Sequence, residues 1–429
     1  MQSEDRVTIQ PATNIGGTLR VPGDKSISHR YAMLAAIAHG KTRLANFSTG
    51  ADCASTLACV RALGCEITHR DGTVEIDGLG PRLQPAAAAL DCGNSGSTMR
   101  MLSGILAGQP FASELMGDES LSRRPMKRVI APLTAMGAKI ESREGLPPLR
   151  ITGDKLSPLE YELPVPSAQV KSAILLAGLY AQGETVVVEP VRSRDHTEIG
   201  LRAFGAELTR SGSRISIRGG QSLTGIDAEI PGDLSSAAFF LCAAALFPRS
   251  NLVIDGLGMN PTRAVLLDVL ASMGARTKVL KLEEHHGELV GLVQLQPGEL
   301  KGTRVSGAVT AAVIDEIPVL AAIAPYTRDG MVIEDAAELR VKESDRLAAV
   351  AQNLRAMGAK IEERPDGLSI PGQQKLHGAE IDAHGDHRIA MAFAVAALRA
   401  AGETRIHGAS SARISFPEFF HLLRQLSSE

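Results

Sequence analysis

Residues 21–40 read VPGDKSISHRYAMLAAIAHG. From Tyr31 to Ala38 the run is almost wholly apolar, as in a buried helix, yet Asp24, Lys25, Ser26, His29 and Arg30 crowd its front. A helix N-terminus carries unpaired N–H groups and roughly half a positive charge. Ser and Asp there are ordinary caps. Lys and Arg there oppose the dipole unless an anion arrives, so the front reads as an anion site. Five more apolar runs carry such fronts: Asn94, Ser97 and Arg100; Ser167, Gln169 and Lys171; Asp233, Ser235 and Ser236; Asp315 and Glu316; Asp386, His387 and Arg388. Helix mouths sharing one cleft would suit a ligand with more than one anionic group.

Two basic clusters lie outside these runs. DESLSRRPM (118–126) holds Arg123 and Arg124, and ELRVKESDRL (338–347) interleaves Arg340, Lys342 and Arg346 with Glu343 and Asp345. Helical spacing would put Lys342 and Arg346 on one face, with Ser344 or Glu343 near the cap. That pattern fits an ordinary surface ladder of ion pairs as well as a site. His29 and His387 fit structural hydrogen bonding as well as acid–base work. His285 and His286, in KLEEHHGEL, read as a solvated loop. There is no G-x-S-x-G, H-E-x-x-H or Walker A pattern, and GNSGST (93–98) lacks the P-loop lysine.

Composition narrows the class. The 429 residues are 44% hydrophobic, enough for two domains, and nothing in a net charge of -3 suggests a global nucleic-acid or membrane-surface binder. With no Trp and 3% aromatics, base-stacking platforms are not expected. Cys53, Cys59, Cys65, Cys92 and Cys242 form no C-x-x-C pair, which points to free thiols in a reducing cytoplasm rather than to zinc. The N-terminus MQSEDRVTIQ is polar, unlike a signal or transit peptide. The longest apolar run, Ala237 to Phe247, is about half of what spans a bilayer.

The elements that must carry these fronts repeat. A helix ending in a glycine turn and a short strand appears as VRALGCEIT, LTAMGAKIE, LRAFGAELT, LASMGARTK and LRAMGAKIE, with Gly64, Gly137, Gly205, Gly274 and Gly358 at the expected C′ stop. Six strands follow turns, at 42–48, 112–117, 185–191, 251–257, 331–336 and 404–409. The chain therefore reads as six βαβαβ-like units of roughly 70 residues. The sixth ends in the helix PEFFHLLRQL (417–426) with no strand after it, and VTIQ (7–10) is expected to supply the missing one. IPGDLSS (230–236) echoes VPGDKSI (21–27), marking two crossings between domains. One domain is placed at 21–230 and the other at 1–20 plus 231–429.

Taken in order, PGDKSISHR (22–30), GNSGSTMR (93–100), RRPM (123–126), PSAQVKSA (166–173), PGDLSSA (231–237), DEIP (315–318), RVKESDR (340–346) and GDHRIAM (385–391) resemble the EPSP synthase family, the 3-phosphoshikimate 1-carboxyvinyltransferases of the shikimate pathway. The resemblance runs from about residue 13 to 420. It implies a two-domain inside-out α/β barrel, three repeated units to a domain, with helices inside, sheets outside and the active site in the interdomain cleft. It implies transfer of the enolpyruvyl group of phosphoenolpyruvate to the 5-hydroxyl of shikimate 3-phosphate, without metal or organic cofactor. It also implies a cytoplasmic monomer that needs no nucleic acid or membrane.

Residue by residue, the resemblance makes Lys25 touch both substrates, while Ser26 and Arg30 hold shikimate 3-phosphate. Ser167, Ala168 and Gln169 line its phosphate, Gln169 reaching also toward phosphoenolpyruvate. Asn94, Gly96, Arg124, Arg346 and Arg388 hold phosphoenolpyruvate, and Gly96 leaves room beside it for the inhibitor glyphosate. Asp315 contacts shikimate 3-phosphate and accepts the proton of its attacking hydroxyl, Lys342 binds its ring, and Glu343 exchanges a proton with the methylene carbon. Three positions depart from the common pattern. Ala168 replaces a second Ser. SRDHTE (193–198) replaces a Ser-Lys-Pro-Tyr pattern, so Arg194 is expected to take that phosphate contact. Ile414 replaces a Lys, with Arg413 adjacent. The sister enzyme acting on UDP-N-acetylglucosamine uses a loop Cys, and no Cys lies between Cys92 and Cys242 here. A noncatalytic anion binder would gain nothing from Asp315 and Glu343 beside an anionic ligand.

Overall fold

The computed structural model describes residues 5–428. The first four residues, part of the polar N-terminus and of the 1–20 segment discussed above, lie outside the described residues. The chain divides into two compact units. An inserted unit comprises Gly23–Ile230 together with Glu284–Glu288. A flanking unit comprises the chain up to Pro22, Pro231–Glu283, and everything from Leu289 onward.

All six apolar runs are helices: Lys25–Ala36, Gly96–Ala107 and Ala168–Gly178 in the inserted unit, Leu234–Ala245, Ile317–Ile323 and His387–Ala397 in the flanking unit. They lack the one-sided stripe of a surface helix because they are buried all round. Every residue of Leu234–Ala245 and of His387–Ala397 is buried. Each large apolar side chain taken from water contributes roughly 1.5–3 kcal/mol. The starts are set by side-chain caps. Asp24, Ser95, Ser167, Asp233 and Asp386 accept from backbone N–H groups two or three residues on. Ile317–Ile323 has no such cap and instead carries Pro318 in its first turn.

Each helix feeds a small sheet, and the six sheets share one plan. In the second unit of the repeat, Leu90–Asp91 runs parallel to Ala112–Met116, which pairs antiparallel with Leu146–Thr152, itself paired with Lys139–Arg143. The same order holds for Glu160–Glu162, Glu184–Val188, Arg214–Arg218 and Leu208–Ser211, and for Thr303–Val305, Met331–Ile333, Gly367–Ile370 and Glu362–Arg364. In the sixth sheet Glu380–Asp382 runs parallel to Thr404–His407, and the hairpin position is filled from the other end of the chain. Arg6–Ile9 lies antiparallel there, Arg6 opposite His407 and Ile9 opposite Thr404. The N-terminal strand thus completes the last unit, as the repeat requires. One expectation is corrected: a strand does follow the last helix, Phe419–Leu426, since Ser427–Ser428 pairs with Asn14–Ile15.

Outer helices end as the glycine spacing predicts. Gly64, Gly137, Gly205, Gly274 and Gly358 all have φ between +87° and +111°. The residue after each donates to a carbonyl five back, as Ala359 N–H does to Leu354. A side chain at these positions would force an L-residue into the left-handed region.

Gly104 has a different task. It lies mid-helix, where glycine normally costs about 1 kcal/mol against alanine. A Cβ there would stand 2.2 Å from the Ala173 carbonyl oxygen of the neighbouring buried helix. Close approach of two backbones therefore outweighs helix propensity. Gly104→Ala should lose roughly 1–3 kcal/mol of stability to overpacking, read as a lower denaturant midpoint. A variant as stable as its parent would show that the helices do not need this contact.

Candidate active site

In the inserted unit the three helix mouths lie together, because their first residues bond one another. Arg30 Nε donates to Thr197 Oγ1 at 2.7 Å, Nη2 to Ser172 Oγ at 3.0 Å, and Nη1 to the Ser26 carbonyl at 2.9 Å. Burial draws this guanidinium down to about 10 against the pull of Glu198, and the Arg194 charge adds to the lowering. Two cations close enough to perturb each other favour an anion between them. Lys25 Nζ donates to Asp52 Oδ2 at 2.9 Å. Ser26 stays half-buried beside it.

The second and third mouths are tied by Gln169, whose Oε1 accepts from Arg100 Nη1 at 2.7 Å and whose Nε2 donates to Ser97 Oγ at 2.8 Å. Ser167 and Ala168 open the third helix next to it. Arg124 is 7% exposed and reaches the second mouth. Its Nη2 donates to Asn94 Oδ1 at 2.7 Å and to Ser120 Oγ at 3.0 Å, and its Nη1 to the Asn94 carbonyl at 3.1 Å. Gly96 starts the helix behind Asn94. Arg123, by contrast, is exposed and pairs with Glu119. Lys25, Ser26, Arg30, Asn94, Gly96, Arg124, Ser167, Ala168, Gln169 and Arg194 all belong to this unit.

Two residues of the fronts serve the structure instead. Lys171 is 0% exposed and pairs with Glu189 at 3.1 Å and Glu198 at 2.8 Å. His29 Nδ1 lies 2.6 Å from Thr56 Oγ1, which lies 2.6 Å from Thr98 Oγ1. Burial, reinforced by the charges of Lys25 and Arg30, holds the His29 imidazole well below its ordinary pKa and therefore neutral.

The flanking unit gathers Asp315, Lys342, Glu343, Arg346 and Arg388. Arg346 is 1% exposed. Its Nε donates to Asp386 Oδ2 at 2.7 Å, its Nη2 donates to Glu343, and its Nη1 lies 3.7 Å from Asp315 Oδ1. Arg388 Nη1 donates to the Asp315 carbonyl at 2.6 Å, and Nη2 lies 3.9 Å from the Asp315 carboxylate. Burial, the largest single influence, would raise the Asp386 carboxyl, but the charge and hydrogen bond of Arg346 together with the His387 charge hold the group below the usual carboxylate range. Burial pushes the Lys342 ammonium below the ordinary lysine value, with the Asp315 carboxylate opposing.

The helical spacing of Lys342 and Arg346 is corrected. Lys342 is extended, with φ −82° and ψ −151°, after a 3-10 turn over Ala337–Val341. The helix starts at Arg346, capped by Asp345 rather than by Ser344 or Glu343. Asp345 can reach the Ala348 N–H from the cap, and this leaves Glu343 on an arm that Arg346 holds in place. Arg413 is exposed, on the 3-10 turn Ala409–Ile414. Sequence reasoning missed Asp52, Ser172 and Thr197. Ser172 sits inside the quoted PSAQVKSA motif and Thr197 inside SRDHTE, whereas nothing around Asp52 signals its role.

The family model for EPSP synthase (3-phosphoshikimate 1-carboxyvinyltransferase) matches residues 9–423. The chain belongs to the EPSP synthase family. A 3-phosphoshikimate 1-carboxyvinyltransferase of Koribacter versatilis is 62% identical over 98% of this chain and 99% of its own. The EPSP synthase structure from Acinetobacter baumannii aligns with a TM-score of 0.88 at 42% identity, covering 98% of both chains. The enolpyruvyl transferase NikO from Streptomyces tendae has a TM-score of 0.81 at 20% identity, covering 99% of this chain and 98% of its own, which shows the shared fold.

In this member of the family the guanidinium of Arg346 is the hub of the flanking unit's site. Removing it leaves Asp386, which is fully buried, without its counter-charge. Arg346→Met should therefore cost about 3–5 kcal/mol near neutral pH. The sign with pH follows from Asp386. In the parent its pKa is depressed, so the pair's contribution is present above the ordinary aspartate value and is lost as pH falls through the folded one. In the variant the same carboxyl is raised by burial, so the deficit should shrink as pH drops from 7 toward 5. Thermal melts across that range test this, and an unchanging deficit would refute it.

Proposed function

We propose that the chain catalyses its family's reaction, transfer of the enolpyruvyl group of phosphoenolpyruvate to the 5-hydroxyl of shikimate 3-phosphate, with groups of both units acting on one pair of substrates. The observation that carries the residue assignment is the division of labour between the units. At the inserted unit's helix mouths the guanidinium groups of Arg30 and Arg124 are ordered by hydroxyls, an amide and carbonyls, while the Lys25 ammonium pairs with the Asp52 carboxylate. In the flanking unit Arg346 is ordered by the carboxylates of Asp386 and Glu343, and Arg388, bonded to the Asp315 carbonyl, has the carboxylates of Asp315 and Glu316 at 3.9 and 3.8 Å.

In this reading Lys25, Ser26, Arg30, Ser167, Ala168, Gln169 and Arg194 hold shikimate 3-phosphate, and Lys342 and Asp315 meet its ring. Asn94, Gly96, Arg124, Gln169, Arg346 and Arg388 hold phosphoenolpyruvate, Lys25 touching both. Arg suits this work because its planar fork matches carboxylate and phosphate bidentately. Asp315 takes the proton of the 5-hydroxyl as the oxygen bonds to C2 of phosphoenolpyruvate. Glu343 gives a proton to the C3 methylene, closing a tetrahedral intermediate. Glu343 then removes a C3 proton as the C–O bond to phosphate breaks and the double bond returns. Opposed acid and base groups in a water-poor site suit such an addition–elimination.

We extend the reading to a monomer in the cytoplasm. Its five cysteines are buried and free, as suits a reducing compartment. Among the described residues no helix is long and apolar enough to cross a membrane.

The direct test is phosphate release requiring both substrates together. Release with phosphoenolpyruvate alone would refute the reading. Glu343→Gln should keep shikimate 3-phosphate binding by calorimetry while turnover falls by about 10²–10⁴-fold, the usual worth of a positioned acid or base. Parent-like turnover would remove its role. Arg124→Ala should raise the KM for phosphoenolpyruvate much more than that for shikimate 3-phosphate, and equal effects on both would refute the clamp.

A further inference from the structure

Arg263 lies outside every motif named above. It ends the segment Met259-Asn260-Pro261-Thr262-Arg263, which follows the strand Asn251–Gly258. Asn260 Oδ1 accepts from the Thr262 N–H at 2.9 Å and hydroxyl at 2.7 Å, and the Arg263 N–H donates to the Asn260 carbonyl at 2.8 Å. Such an Asx turn fixes where the chain aims its next side chain. The Arg263 side chain turns inward and is only 4% exposed.

What it meets is the set of helix mouths in the flanking unit. Its Nη2 donates to Ser235 Oγ at 2.7 Å and to Asp233 Oδ1 at 3.2 Å. Its Nη1 lies 3.9 Å from Glu316 Oε1. That same carboxylate oxygen accepts from Ser235 and lies 3.8 Å from Arg388 Nη1. Glu316 is 3% exposed, so its charge needs cations close by. It therefore stands between two guanidinium groups at nearly equal distance. Arg388, meanwhile, is anchored through Nη1 to the Asp315 carbonyl.

We propose that Arg263 is a positioning residue for the enolpyruvyl transfer: it neutralises Glu316, and this leaves Arg388 directed to the anionic donor instead of being drawn onto a buried carboxylate. The inference rests on the reading of Arg388 as a phosphoenolpyruvate-binding group. Without Arg263, the buried charge of Glu316 must be answered by Arg388, which would pull that side chain from the substrate and raise its electrostatic cost of binding an anion. Arg263 itself touches no substrate. A merely structural role would lower the folded fraction and leave the KM of the folded enzyme alone.

The test uses steady-state kinetics of the full chain with both substrates varied. Arg263→Met should raise the KM for phosphoenolpyruvate at least tenfold and that for shikimate 3-phosphate less than threefold. Arg263→Met combined with Glu316→Gln removes both charges and should bring the phosphoenolpyruvate KM back within threefold of the parent. A parent-like KM in the single variant, or no recovery in the double, overturns the proposal. If the single variant does not fold, the double decides: a tenfold rise there overturns it, and a parent-like value supports it. Arg388→Lys, measured alongside, separates the two readings. An unchanged phosphoenolpyruvate KM in Arg388→Lys removes the clamp and the inference with it. A raised KM there with an unchanged one in Arg263→Met removes only the role given to Arg263.

Discussion

The structure is governed by the cost of bringing cations to the buried front of a helix. The helix dipole already concentrates positive charge there, and desolvation adds to the penalty. Each cation must therefore be answered by fixed oxygen atoms, at least one of them from another segment. Arg30 is answered by Ser172 and Thr197, Arg124 by Asn94 and Ser120, and Arg346 by Asp386 and Glu343. The sites are thus networks among helix starts within each unit, not isolated side chains on loops.

The scaffold that permits this is the repeat. An apolar helix can be buried on all sides only if neighbouring helices and sheets surround it, so each unit packs three such helices and covers them with three small sheets. Glycine turns stop the outer helices at fixed points, and Gly104 lets two inner helices approach to backbone contact. The closing strand Arg6–Ile9 pairs with Thr404–His407, so the flanking unit's last sheet needs both ends of the chain.

The two units divide the electrostatics. Around Arg30, Gln169 and Arg124 the ordering partners include hydroxyl, amide and carbonyl groups, which orient a cation without cancelling its charge. Around Arg346 and Arg388 the partners include carboxylates, which cancel charge but can move protons. A buried lysine at a helix front need not join either group. Lys171 spends its charge on Glu189 and Glu198 and so supports the loop that carries Ser193 and Arg194.

Much of this was legible in the sequence, because caps, apolar runs and glycine stops are local signals. The six helices, their strands and the chain-closing strand could be read from periodicity and turn chemistry, and the residues of the quoted motifs from residue type at a helix front. What could not be read was which charge answers which. Local spacing put Lys342 and Arg346 on one helix, whereas Asp345 caps that helix later and leaves Lys342 extended. Lys171 looked like a ligand-facing cation until Glu189 and Glu198, far along the chain, were brought to it. Asp52 and Arg263 carry no signal at all, since their partners lie 27 and 53 residues away from them or in other repeats. The sequence alone determined the elements and the chemistry available at their ends, because capping and burial act over a few residues. Only the tertiary structure decided the pairing of charges, because Coulomb interactions depend on distances that folding sets.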